Sequence, residues 1–410
     1  MMVRVKVWER SLGEPRPVGD LITEIEDNGR LRSAFQYDPE FLRRKEKYAL
    51  DPVSLPLQGE AISTVHPGFF GVFEDSLPDD WGRNLLIRKQ KIARRDQHLP
   101  GLLLALGSSG LGALSYSAEG RLPESDPEVS SLHLSELVEA AARFERGEPL
   151  DSVITLLLSA GSSPGGARPK AVVVDDETGL HYIAKFPSVK DQVDVVRIEA
   201  ATLQLARQAG LLVPETRLLS CSGKTVLLVR RFDVIPEGRR HMISFQTLLK
   251  AAGYYQHRYY DLVLLVRKYS RDPQVDSERL FRQMVFNALV GNTDDHLKNF
   301  MMIHDHQQGW RLSPAFDLIP DIGQRREHVL FFDLDAHYPG RRELERLGRQ
   351  WGIGCAGEVV DEVVQSLREW RNGFAEVGVS EQDAQRFAEI DIRLDGAALF
   401  FKKSQTTCCC

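Results

Sequence analysis

Residues Ser277 to Val290 place Leu280, Phe281, Met284, Val285, Ala288 and Leu289 on one face at helical spacing. Gly291 stops that helix, and Ser277 is expected to cap its start. Directly behind it comes Asn292 to Phe300, NTDDHLKNF, dense in carboxylates, amides and cations. A chain with this pattern must build a helical domain around an apolar helix whose end carries polar groups. Such an end is a rigid platform for chemistry.

The chain has 410 residues, too many for a single core, so two or three domains are expected. Its net charge of −6 argues against wrapping nucleic acid over the whole surface. The basic runs Arg43 to Lys47 and Arg88 to Arg95 read as solvated helix faces. Cys221 and Cys355 lack Cys-x-x-Cys partners, which fits a reducing compartment. The Cys408-Cys409-Cys410 end reads as a frayed tail. Met1 to Arg10 has no signal-like apolar core, and no apolar run is long enough to span a bilayer. A cytoplasmic protein away from membranes is the expectation.

Three segments and a tail follow from the pattern. Residues 1–120 open with Val3, Val5 and Val7 alternating with polar neighbours, a strand signature. Ser76 to Trp81 opens a helix with Arg88 to Arg95 in its last turn, and GSSGLG (Gly107 to Gly112) is a glycine-rich turn before a strand. A Pro, Glu, Ser and Asp stretch near 120–131 reads as a linker. Residues 132–237 hold the loop Ala160 to Lys170, strands at Ala171–Val174, His181–Phe186 and Thr225–Val229, and a helix at about Val195–Ala209. Residues 238–402 read as mostly helical, and 403–410 as a disordered tail.

Phosphoryl transfer needs a carboxylate to accept the proton of the attacking hydroxyl, an amide oxygen and a second carboxylate for divalent cations, a lysine for phosphate charge, and a glycine-rich turn. Asp294 and Asn299 carry the Asp-x4-Asn spacing of a kinase catalytic loop, with Asp295 one residue off. Asp317, in Ala315-Phe316-Asp317-Leu318, stands where a kinase places its second metal-binding aspartate. Lys185 ends the apolar strand Tyr182-Ile183-Ala184-Lys185. Glu199 on the next helix is either its partner or an exposed helix acid. The glycines of Ser162 to Lys170 allow backbone amides to approach phosphate, although the loop is not a Walker A motif. A competing reading makes His296, His304 and His306 metal ligands with Asp294 or Asp295. His304 and His306, however, sit in HDHQQGW, which reads as an exposed hairpin.

These residues together resemble the HipA family, the kinase toxins of bacterial toxin–antitoxin modules. The blocks are Gly166-Ala167-Arg168-Pro169-Lys170, Ile183-Ala184-Lys185-Phe186-Pro187, Val229-Arg230-Arg231-Phe232-Asp233, and Asn292 to Phe300 with Ser313-Pro314-Ala315-Phe316-Asp317. In the N-terminal segment, Ser54 to Gln58, Asp75 to Asp79, Trp81-Gly82-Arg83, Gly107 and Gly112-Ala113-Leu114 are similar to that family's small extra subdomain. The resemblance implies an α+β, two-lobed protein-kinase-like fold with a small β-rich N-terminal subdomain and a mostly helical C-terminal lobe.

It also implies roles. Asp294 would be the base, and Asn299 and Asp317 would hold Mg2+. Gly165, Gly166, Ala167, Arg168, Pro169 and Lys170 would form the phosphate loop of an ATP site that includes Lys185. Arg230, Arg231 and Phe232 would be the hinge offering main-chain groups to adenine. His296, Leu297, Lys298 and Phe316 would line the site near the phosphates. Ser163, or Ser162 beside it, would be the autophosphorylated serine. The implied partners are a helix-turn-helix, HipB-like antitoxin, DNA only through that complex, and a protein substrate such as an aminoacyl-tRNA synthetase. Arg230 departs from the Glu of some members, and Arg168-Pro169 from the usual loop residues. A kinase of small-molecule hydroxyls and a non-catalytic corepressor are the rival functions.

Overall fold

The computed structural model describes residues 1–65, 68–124, 127–149, 152–160, 168–253, 256–323 and 325–398. Ser162, Ser163, Gly165, Gly166, Ala167 and the Cys408–Cys410 tail lie outside the described residues. The chain forms two compact units that do not follow chain order. The first comprises 1–190, 217–250 and 302–309, and the second 191–216, 251–301 and 310–410.

The first unit begins with an antiparallel sheet. Its strand order is Ile62–Ser63, Leu31–Tyr37, Arg16–Ile25, Met2–Glu9, Leu114–Ser117. The valine alternation sets its register: Val5 pairs with Leu21, and Leu21 with Phe35, and all three are buried on one face. Phe73 packs on Phe35, with ring centroids 5.3 Å apart. The helix foreseen here runs Asp80–Lys89 only; Lys91 then takes a left-handed φ of 49°, and Arg94–Asp96 forms a separate turn. The basic run is therefore two elements rather than one helix face.

A second sheet contains Lys170–Val174, His181–Lys185, Lys224–Arg230 and Thr216–Cys221 in that order. Lys170 pairs with Lys185 and Ala184 with Leu228. Ala171, Val173, Tyr182 and Ala184 pack into a core with Leu137, Phe144, Ile154 and Trp81. Because strand side chains alternate, His181, Ile183 and Lys185 are set on the opposite, half-exposed face.

In the second unit, the helix behind the polar loop runs Pro273–Val290, four residues longer at its start than the periodicity suggested. The reason is its cap. Asp272 accepts from the Val275 N–H and Pro273 occupies the first turn, where its missing N–H costs nothing. Ser277 is thus an interior, buried residue rather than the cap. Asp276, fully buried, accepts from Ser270 Oγ, the Leu312 N–H and both Arg311 Nε and Nη2. That network fixes the helix start to the strand Gly309–Leu312. The helix Val195–Gln208 is capped by Asp194 and ends ahead of Gly210 at φ 78°.

Candidate active site

The polar loop is built from the helix end outward. Gly291 sits at φ 75°, a conformation that suits glycine, and an added Cβ would collide with the Arg393 guanidinium. Asn292 donates from Nδ2 to Asn287 Oδ1 (3.1 Å), and Asn287 donates to Tyr259 Oη (3.1 Å). The Tyr259 hydroxyl donates to Asp295 Oδ2 (2.6 Å). His328 Nδ1 lies 2.9 Å from the same oxygen, and the Val329 N–H donates to Oδ1 (2.8 Å). Burial, followed by the Asp295 charge, holds the Tyr259 phenol well above its ordinary range.

The two adjacent aspartates therefore have different surroundings. Asp295 is 1% exposed and enclosed by donors. The Asp294 side chain is 56% exposed, and its Oδ1 lies 3.6 Å from Arg325 Nη1. Asn299 turns its amide back and donates from Nδ2 to the Asp294 carbonyl (2.8 Å), so its Oδ1 points elsewhere.

Asp317, half-exposed, has φ 56°. Non-glycine residues rarely adopt this region, and such strain gathers at functional positions. Its neighbourhood is pinned on both sides: the Ala315 N–H donates to Leu212 O (2.8 Å), and the Asp321 N–H to Gly291 O (2.9 Å). The second unit thus brings Asp294, Asn299, His296, Leu297 and Lys298 into one loop and ties the chain after Asp317 to the same helix end. Leu297 is buried, whereas His296, Lys298 and Phe316 are half-exposed.

The first unit carries the other expected residues. Lys185 lies on the sheet face opposite the core. Arg168 is half-exposed, and Pro169 and Lys170 are buried, with the Phe186 N–H bonded to Pro169 O. In the expected hinge, the Arg231 N–H donates to His181 O (2.9 Å), and Phe232 O accepts from Arg240 Nη1 (2.9 Å). Two of its main-chain groups are thus already engaged. The Arg231 side chain turns inward, 4% exposed, to the Asp233 carboxylate. Arg230 is exposed. Glu199, on the second unit's helix Val195–Gln208, is 6% exposed, so it is not the exposed helix acid of the alternative reading.

His304 and His306 are not in an exposed hairpin. Only Gln307 and Gln308 are exposed there. His304 stacks on Tyr48 (4.2 Å between centroids), and His306 Nε2 lies 2.7 Å from Ser11 Oγ. Burial pushes the His304 imidazole down to about 3, and that of nearby His241 to about 4. Among the described residues no three His, Cys, Asp or Glu side chains converge as a metal site.

Sequence reasoning missed Tyr259, Asn287, Arg325 and His328. The polar Gln283 and Asn287 within an otherwise apolar helix were the available signal, because buried amides need partners.

These features define an α+β protein of the protein-kinase-like class, with a β-rich N-terminal part and a helical C-terminal part. Comparison with known proteins agrees. The HipA-like C-terminal domain matches residues 162–371 and the HipA N-terminal domain residues 12–117. The chain belongs to the HipA family. It is similar to a Sinorhizobium fredii protein named "Putative kinase Y4mE", 28% identical over 66% of this chain and 68% of that one. Another of the same organism, named "Putative kinase Y4dM", is 30% identical over 35% of this chain and 38% of its own length. The fold resembles HipA of Shewanella oneidensis, solved with HipB and operator DNA, at TM-score 0.69 and 19% identity, covering 96% of this chain and 97% of that one. Among the described residues, no helix is long and apolar enough to cross a membrane.

Proposed function

We propose that the protein is an ATP- and Mg2+-dependent serine/threonine protein kinase, the toxin of a HipA–HipB-type module. The observation that carries this reading is the division of labour between adjacent aspartates. Asp295 is consumed by structure, which leaves Asp294 at the surface of a loop held in place by that structure. A general base must reach the proton that it accepts, and only the outward carboxylate can meet an incoming hydroxyl. Asn299 braces the Asp294 carbonyl and so holds the base in position.

Mg2+ takes oxygen donors, commonly one or two carboxylates with phosphate oxygens. The Asp317 carboxylate and the Asn299 Oδ1 are donors of that kind, so the residues fit the ion. Bound ATP and Mg2+ supply the transferable phosphoryl group and its charge neutralisation. Lys185 offsets phosphate charge, Glu199 orients that lysine, and Arg168 to Lys170 border the phosphate loop. Arg230 to Phe232 flank the adenine, through main-chain groups other than the two already engaged. Ser163, or Ser162, is the autophosphorylation site.

We assign residues 1–120, 132–237 and 238–402 to the N-terminal subdomain, the nucleotide-binding lobe and the catalytic lobe. The Shewanella complex supports a helix-turn-helix antitoxin as partner, with DNA reached through it. The working place is the cytoplasm, and the substrate is a protein hydroxyl. Thermal melts with ATP, with and without Mg2+, test this reading. A rise that needs both ligands, and is lost in Lys185→Ala and Asp317→Ala, is expected. No nucleotide-dependent rise in the wild type would overturn it.

A further inference from the structure

Within the first unit, a cavity of about 120 Å3, roughly the volume share of four liquid waters, opens beside the strands Lys170–Val174 and His181–Lys185. Arg10, Arg231 and Arg239 line it, together with His181, Ser108 and Glu128. None of Lys185, Asp294, Asn299 or Asp317 does.

The charges around the cavity do not balance. Asp233 is taken by Arg231, through Nη2 (2.7 Å) and Nε (3.1 Å), and by the Gly112 N–H (2.8 Å). Glu128, at the exposed side, lies 2.9 Å from His181 Nε2. Among the described residues, Arg239 has no carboxylate within ion-pair distance. Its side chain bonds only from Nη1, to the carbonyls of Ser108 (3.1 Å) and Gly110 (3.2 Å). Arg10 likewise reaches only the Gly13 carbonyl (3.4 Å). Burial, then the Arg231 charge, with Arg10 adding to it, pushes the Arg239 guanidinium down to about 10 against the opposing pull of the Asp233 and Glu128 carboxylates. A cation with that depression is under-compensated where it stands.

We infer that this cavity is a binding site for a small phosphoryl anion, held by Arg239 and Arg10 with Arg231 behind them. Arginine forks match the oxygens of a phosphate bidentately, and the groups around the cavity, three arginines against Asp233 and Glu128, leave a net charge of +1 that suits an anion. The site is rigid before the ligand arrives, because the Arg231–Asp233 pair and the Gly107–Gly112 turn fix its wall.

The test uses the full chain and inorganic phosphate, titrated against chloride at matched ionic strength, with thermal melting and isothermal calorimetry as readouts. Wild type is expected to bind phosphate, and Arg239→Gln to bind it roughly tenfold or more weakly, the loss of one charge-assisted contact. Arg10→Gln, at a half-exposed position, keeps the fold in hand if the first variant is unstable, and is expected to weaken binding as well. Lys185→Ala is expected to leave phosphate binding unchanged, which separates this site from the proposed nucleotide site. O-phosphoserine binding more tightly than phosphate would support the site with a monoester as its ligand, and equal binding would support it with the free ion. No phosphate binding in the wild type, equal binding by Arg10→Gln, or loss of binding in Lys185→Ala would overturn the inference.

Discussion

Replacing Asp295 with alanine should damage stability far more than replacing Asp294. Asp295→Ala strips four buried donors of an acceptor: the Tyr259 hydroxyl, His328 Nδ1, the Val329 N–H and, at 3.4 Å, the Leu330 N–H. An abandoned buried donor costs about 1–3 kcal/mol. Removing one partner of a buried charged network costs about 3–5 kcal/mol in total, after the released desolvation of the carboxylate is credited. Asp294→Ala removes only a long contact between half-exposed charges, for which well under ~1 kcal/mol is expected. Urea titration of both variants gives the energies. Hydrogen exchange at the Val329 amide gives the local consequence, because that amide loses its acceptor only in Asp295→Ala. A cost below ~1 kcal/mol for Asp295→Ala, or an equal cost for the two variants, would refute the assignment of a structural and a free aspartate.

Other consequences are also measurable. His241 and His304 are held neutral in the folded state, with values of about 4 and about 3, below the ordinary 6.5. The unfolded chain binds protons first, so their contribution to stability is complete above pH 6.5 and falls as the pH drops towards 4. The slope is about 1.4 kcal/mol per pH unit for each fully neutralised imidazole, and His241→Asn should flatten it in pH-dependent melts. Gly291→Ala forces a left-handed alanine against Arg393 and should cost at least ~1 kcal/mol by urea titration; a neutral result would contradict the strained turn. Asp276→Ala should cost about 3–5 kcal/mol by the same measurement, because Arg311 is left without its buried partner.

Local signals carried most of what the sequence could tell. Alternation placed the first strand, an apolar run placed the strand that bears Lys185, and Gly291 marked the end of the helix behind the loop. The start of that helix was misplaced because Asp272-Pro273, a capping aspartate with a first-turn proline, lies before the apolar face begins. The burial of Asp295 could not be read locally, since its partners come from positions 259, 328, 329 and 330. Nor could the fate of His304 and His306, whose polar segment belongs to the first unit and packs on Tyr48 from far up the chain. Pattern reading sees spacing along one element. It does not see which distant side chain satisfies a buried group.

Transfer of labelled γ-phosphate from ATP to protein, measured for wild type and Asp294→Asn in parallel with Mg2+ present, tests the central claim most directly. The wild type is expected to transfer phosphate and the variant to lose roughly 10²-fold or more of that rate, with folding unchanged. Transfer at the wild-type rate by Asp294→Asn would contradict it.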